Sequence, residues 1–335
     1  AAAVGYECQA FQPRAPRLLV LPRWGPLQAF AGAVTSGPAL WELGSVSGFA
    51  ATAEAGLLAA WVGGYSDCFD PERNRLALLD ASTGRELWSR PEESFIGGVS
   101  VTQSGDRVAA TTNSGISWEC DRGTTSLLVV DARTGREAWR RELVSVGGPA
   151  TLDAVAFSPE GGRLAVAVHG WACLDGCDEV ALLDAWTAQV FWRRRLGSYV
   201  SGVAFTPDRR SLAVCLGNGT ALLDAETGEA RWQRWGSWCK AVAVAPDGAS
   251  VAVASGRSVR ALATDTGGPL WEAPVASVKR LAYAPGNGGV LAAAVSPFAY
   301  AHRRDGKVIG LDARTGEAAW EGLQGEPVEG VGFFM

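Results

Sequence analysis

Short apolar runs, each cut off by Gly, Pro, Asp or Ser, follow one another along almost the whole chain. Between residues 200 and 234 they read VSGVAFTP, SLAVCL, GTALLDA and EARWQR, joined by PDRR, GNG and ETG. Segments this short, rich in Val, Ala and aromatics and bounded by turn residues, predict β-strands. No stretch sustains a helical period long enough to predict a helix. The joints have their own logic: Pro207 and Asp208 suit the centre of a type I turn, and Asn218-Gly219 suits a two-residue hairpin.

This four-strand unit recurs. LLDASTGRELW, ending at Trp88, returns as VVDARTGREAW, ending at Trp139. The Asp of the motif stands at 80, 131, 184, 224 and 312, and eight residues on come Trp88, Trp139, Trp192, Trp232 and Trp320. Two degraded copies keep Gly37 with Trp41 and Gly267 with Trp271, but have Ala33 and Ala263 for the Asp. Seven copies at a period in the forties predict a propeller. In D-A-x-T-G the Asp can bond the turn backbone while the Gly supplies a positive φ. The Trp then falls on an outer strand, where it can cover the neighbouring blade for roughly 2–3 kcal/mol.

The first strand of each unit aligns as VSGFAA from Val46, IGGVSV from Ile96, LDAVAF from Leu152, VSGVAF from Val200, CKAVAV from Cys239, VKRLAY from Val278 and VEGVGF from Val328. Its fifth position is always Ala, Ser or Gly, as strands crowded around a narrow channel require. The last copy has no strands after it and the first unit has no such strand before it. The expected closure therefore pairs 328–334 into blade 1, which removes the free edges. The chain reads as all-β, one seven-bladed propeller: blade 1 from 17–43 plus 328–334, then 44–90, 94–142, 150–196, 199–234, 238–273 and 276–322.

D-A-x-T-G-x-x-x-W resembles the tryptophan-docking repeat of quinoprotein-like (PQQ-like) propellers, and VAFSPEGGRLAVA, from Val155, is similar to the inner hairpin of WD40 and YVTN-type propellers. The likeness runs from about Arg17 to Phe334. It implies the fold, and such folds host enzymes, assembly factors and scaffolds alike. The larger quinoprotein dehydrogenases carry a vicinal cysteine pair and an Asn/Asp/Glu calcium set over the channel; this chain has no Cys-Cys, and no cofactor is expected. The resemblance implies an accessory subunit in an extracytoplasmic or organelle-lumen setting, with the cytoplasm as the alternative.

Composition narrows the classes. Thirty Lys and Arg against 35 Asp and Glu leave a charge of −5, which speaks against nucleic acid as a partner. The longest basic run, Arg193–Arg195, reads as a solvated strand end. No apolar run approaches the roughly 18 residues of a membrane span. The opening AAAVGYEC, without an initiator Met, fits either removal of a targeting segment or a trimmed chain. His169 and His302 are the only histidines, and no Walker A, G-x-S-x-G or G-x-G-x-x-G occurs, so no catalytic residue is assigned.

Function is expected on the face that carries the inter-blade connections and the long insertions between second and third strands. Trp61, Tyr65, Trp118, Trp171, Tyr199, Trp235, Trp238 and Tyr300 cluster there as candidate anchors for a protein partner. The competing reading is that these rings fold back into small satellite cores. Six cysteines share the face. Cys173 with Cys177, Cys68 with Cys120, and Cys215 with Cys239 are candidate disulfides, although sequence does not fix the connectivity, and Cys8 is left over. A metal site from Cys173, Cys177 and His169 has the wrong spacing for structural zinc, and the acidic loop tips suit solvent better than calcium.

At the channel mouth, the second positions of the inner strands read Ser47, Gly97, Asp153, Ser201, Lys240, Lys279 and Glu329, with Arg280 adjacent. Such a mixed ring either holds a small zwitterionic ligand or neutralises itself around water. The expected function is a non-catalytic binding or assembly module. The alternative is a propeller enzyme, a lyase, lactonase or quinoprotein-like oxidoreductase, acting at the mouth.

Overall fold

The structure, a computed structural model, describes residues 17–22, 26–31, 39–44, 46–52, 55–63, 74–113, 125–144, 150–170, 178–286, 289–296, 306–322 and 328–334. The described strands form seven sheets of four antiparallel strands, and no helix occurs among the described residues. In six sheets the strands follow chain order from the channel outward, as in Val200–Phe205, Ser211–Leu216, Gly219–Asp224 and Ala230–Trp235. The seventh takes its inner strand from the far end of the chain. Val328–Phe334 pairs antiparallel with Arg17–Pro22, Leu18 facing Phe333 and Val20 facing Val331, and so closes the ring as expected.

Alternating sides of the second and third strands bury against the blades before and after. Leu212, Val214 and Leu216 of blade 5 join Ala165, Val180 and Leu182 of blade 4 in one core cluster. Cys215, Leu222 and Ala213 turn the other way, onto Val251, Val253 and Leu262 of blade 6. Cores between sheets rather than within one explain why these strands read as continuous apolar runs.

The repeated motif is the seam between blades. Each Trp sits half-buried on an outer strand, and six indole N–H groups donate to a backbone carbonyl in the next blade at 2.6 to 3.1 Å: Ala81, Ala132, Ala185, Ala225, Thr264 and Ala313. The seventh, Trp320, has no such partner among the described residues; the matching motif copy, from Ala33 to Gly37, lies outside them. The motif glycine is required twice over. Gly84, Gly135, Gly228, Gly267 and Gly316 have φ between +66° and +74°, and a Cβ on any of them would come within 3 Å of the preceding blade's Trp ring.

The motif Asp bonds its own turn. Asp80 Oδ1 accepts from the amide and hydroxyl of both Ser82 and Thr83, and Asp131, Asp184, Asp224 and Asp312 repeat the arrangement with their own turns. One turn differs from the sequence expectation. Leu216 pairs with Gly219, so the two-residue loop is Gly217-Asn218. Gly219 opens the third strand, where a Cβ would strike the Arg234 carbonyl.

Candidate functional site

All seven inner strands slip register near their first residue. Val46 pairs with Val62 but Gly48 with Trp61; Ile96, Val200, Cys239 and Val278 are followed by the same slip. In blade 4 the slip falls between Thr151 and Ala154, and in blade 1 Leu21 faces Gly330 while Pro22 faces Val328. The positions the pairing skips are Ser47, Gly97, Leu152 with Asp153, Ser201, Lys240, Lys279 and Glu329. The ring aligned from sequence is thus a ring of β-bulges. A bulge carries an extra residue and re-aims its side chain, and bulges concentrate where a sheet edge meets a site.

Below them lies a cavity of about 250 Å3 that takes lining from all seven blades. Its rim is Ser47, Gly97, Ser201, Lys240 and Glu329. Its wall is Gly48, Gly98, Ala154, Gly202, Ala241 and Gly330, with Arg280 in the seventh place. Its floor is Phe49, Val99, Val155, Val203, Val242, Leu281 and Val331. Phe49 reaches across to the closing strand, where a Cβ on Gly330 or Gly332 would approach its ring to 2.9 or 2.8 Å. Lys279, expected at the mouth, is not in the lining; Arg280 beside it is. Asp153 is described by its backbone alone.

The rim's polar groups are held by the fold. Ser201 donates its hydroxyl to the Cys239 carbonyl at 2.8 Å, and Ser47 donates to the Gly63 carbonyl. Ser296 donates to Glu329 Oε1 at 2.9 Å. Burial, and then the charge of Lys279, pull the Lys240 ammonium below the usual lysine range. Among the described residues no three metal-ligating side chains converge.

Because each blade runs antiparallel in chain order, its inter-blade connection and the link from second to third strand share one end, the end of the bulges. Trp235 closes the outer strand of blade 5 and Trp238 precedes the inner strand of blade 6; they are 69% and 55% exposed. Tyr199 meets Trp238 edge to face, ring centroids 5.9 Å apart. Beneath them Cys215 and Cys239, both fully buried, form a disulfide between blades 5 and 6. Trp61 does not belong with these surface rings. It is 4% exposed, packs with Ile96 and Val101 of blade 3, and contributes to the cavity wall. Its place inside the second strand, Leu57–Val62, puts it between two blades rather than in a loop. Tyr65, Trp118, Trp171, Tyr300, Cys68, Cys120, Cys173 and Cys177 lie outside the described residues.

Two features went unread in the sequence. Trp186, 54% exposed, sits at the opposite end of the ring with the Arg107 guanidinium 4.5 Å over its ring. The arginine two places after the motif Trp is a second clamp. Arg90, Arg194 and Arg234 donate to the carbonyls of Gly135, Thr227 and Gly267, and Arg141 donates to that of Ala188. Its signal was present as W-x-R in four blades.

Comparison with known proteins agrees with this geometry. The PQQ_2 family, described as outer membrane protein assembly factor BamB, matches residues 28–170, 123–283 and 176–331. No curated protein matches the chain. Among solved structures, the Cps50 (Swd1) β-propeller domain of Myceliophteria thermophila is 14% identical with a TM-score of 0.62, over 84% of this chain and 86% of that one. A chain of the mitotic checkpoint complex is 13% identical with a TM-score of 0.62, over 96% and 88%. At such identities these two share the fold alone. The family match, whose overlapping segments run from the second strand of blade 1 to the closing strand, shows that the chain belongs to the PQQ_2 family of propellers.

Proposed function

We propose that this propeller is a non-catalytic protein-binding module that engages its partner through the bulge end of blades 5 and 6. The observation that carries the reading is the pair Trp235 and Trp238, 69% and 55% exposed, steadied by Tyr199 and by the Cys215–Cys239 disulfide below. Large rings presented on a rigid base are what interface anchors consist of, and exposing them without a partner is unfavourable. The family's description as an outer membrane assembly factor supports an accessory role in a larger complex. That description and the disulfide together support an oxidising, extracytoplasmic setting.

The test is a mildly cross-linked isolation of the wild-type chain and of the double variant Trp235→Ala with Trp238→Ala from the source cells. The expected outcome is one polypeptide recovered in stoichiometric amount with the wild type and at least about tenfold less with the variant, at unchanged melting temperature. Equal recovery by both chains overturns the reading.

A further inference from the structure

We infer that the channel mouth binds a small carboxylate with a short apolar body, which enters apolar end first and leaves its carboxylate against Lys240 and Arg280. The charge around the mouth is arranged as an arc. Blade 6 brings Lys240 and blade 7 Arg280 into the lining, with Lys279 near enough to act on Lys240; the neighbouring blades add Glu329 in blade 1 and Ser201 in blade 5. Across the channel, blades 2 and 3 offer only Ser47 and Gly97.

Arg280 is the particular feature. Every other blade has Gly or Ala at its place, so the fold does not need a large side chain there. Among the described residues no carboxylate pairs with it. Lys240 lines the same cavity from the adjacent blade, where burial and then the charge of Lys279 disfavour its ammonium, and an anion seated between Lys240 and Arg280 offsets both with two charge-assisted hydrogen bonds.

The interior selects for the rest of the ligand. Small residues at the wall leave Phe49, Val155, Val242 and Leu281 open to the cavity, so its inner end is apolar. A phosphate would satisfy the arc and leave that floor wet, whereas a carboxylate with a short chain satisfies both. The volume of about 250 Å3 lies below the roughly 300–1,000 Å3 of sites for drug-sized ligands and limits the body to a few carbons.

The experiment is saturation-transfer NMR and calorimetry with hexanoate, using hexylamine as the charge control and acetate as the length control. Hexanoate is expected to bind with its methyl end most strongly saturated. Hexylamine is expected not to bind, and acetate at least about tenfold more weakly. Arg280→Gln and Lys240→Gln should each weaken hexanoate at least about tenfold with the melting temperature unchanged. The double variant Trp235→Ala with Trp238→Ala should bind hexanoate as the wild type does, which separates this site from the protein-binding surface. No hexanoate binding at about 10 mM, equal binding of hexylamine, or undiminished affinity in Arg280→Gln overturns the inference.

Discussion

Two residues occupy backbone conformations that the neighbouring repeats reserve for glycine. Ala188 has φ of 60° where the five other described motif turns have Gly, and Arg209 has φ of 66° where Gly105, Gly161 and Gly248 close the equivalent turns. The left-handed conformation costs a side-chain-bearing residue about 1–2 kcal/mol, of which glycine's larger chain entropy recovers part. Ala188→Gly should therefore raise stability by about 1 kcal/mol, read as a higher urea midpoint at unchanged m-value. Gly228→Ala should lower it by more, because its Cβ would stand 2.8 Å from the Trp192 ring. The need for positive φ at the motif Gly was legible in the repeat. The contact with Trp was not, because the ring belongs to the preceding blade, some 36 positions earlier at Gly228.

Strand pairing was harder to read than strand existence. The apolar runs and turn residues marked the blades, but a bulge is a relation between two strands, and neither strand shows it alone. That is why the second positions could be aligned while Lys279 and Arg280 exchanged roles once paired. Trp61 shows the same limit: a Trp near a long insertion reads as a loop residue until its strand is extended through it. Between elements, the Cys215–Cys239 disulfide ties the second strand of blade 5 to the inner strand of blade 6 over a separation of 24 residues. Closing a loop of that length stabilises by about 3 kcal/mol. Replacing both cysteines with Ala should lower the unfolding free energy by about that amount, measured by urea denaturation without reductant. The site expected to loosen first is the Tyr199–Trp238 pair, whose Trp adjoins Cys239.

Across the whole ring, five motif carboxylates act together. Their pKa values are all shifted down: Asp80 by the Ser82 hydroxyl, Asp131 by the Thr134 hydroxyl, Asp312 by the Arg314 amide. At Asp184 burial opposes the shift and the Thr187 and Trp186 donors outweigh it. Asp224, held first by the Arg231 guanidinium, falls from 3.8 to about 2. Groups that ionise more readily when folded stabilise the protein above the unfolded value and lose that contribution as pH falls through the folded one. The melting temperature should stay level from neutral pH to about pH 5 and drop steeply between about 4 and 2, and Asp224→Asn should flatten that drop. The ring is also joined by a strand from each end of the chain. Arg17–Pro22 is made roughly 310 residues before its partner strand, Val328–Phe334. At ordinary rates of synthesis, on the order of tens of seconds separate the two. Throughout that time the first blade has one open edge, so the growing chain must be shielded from its neighbours until the closing strand arrives.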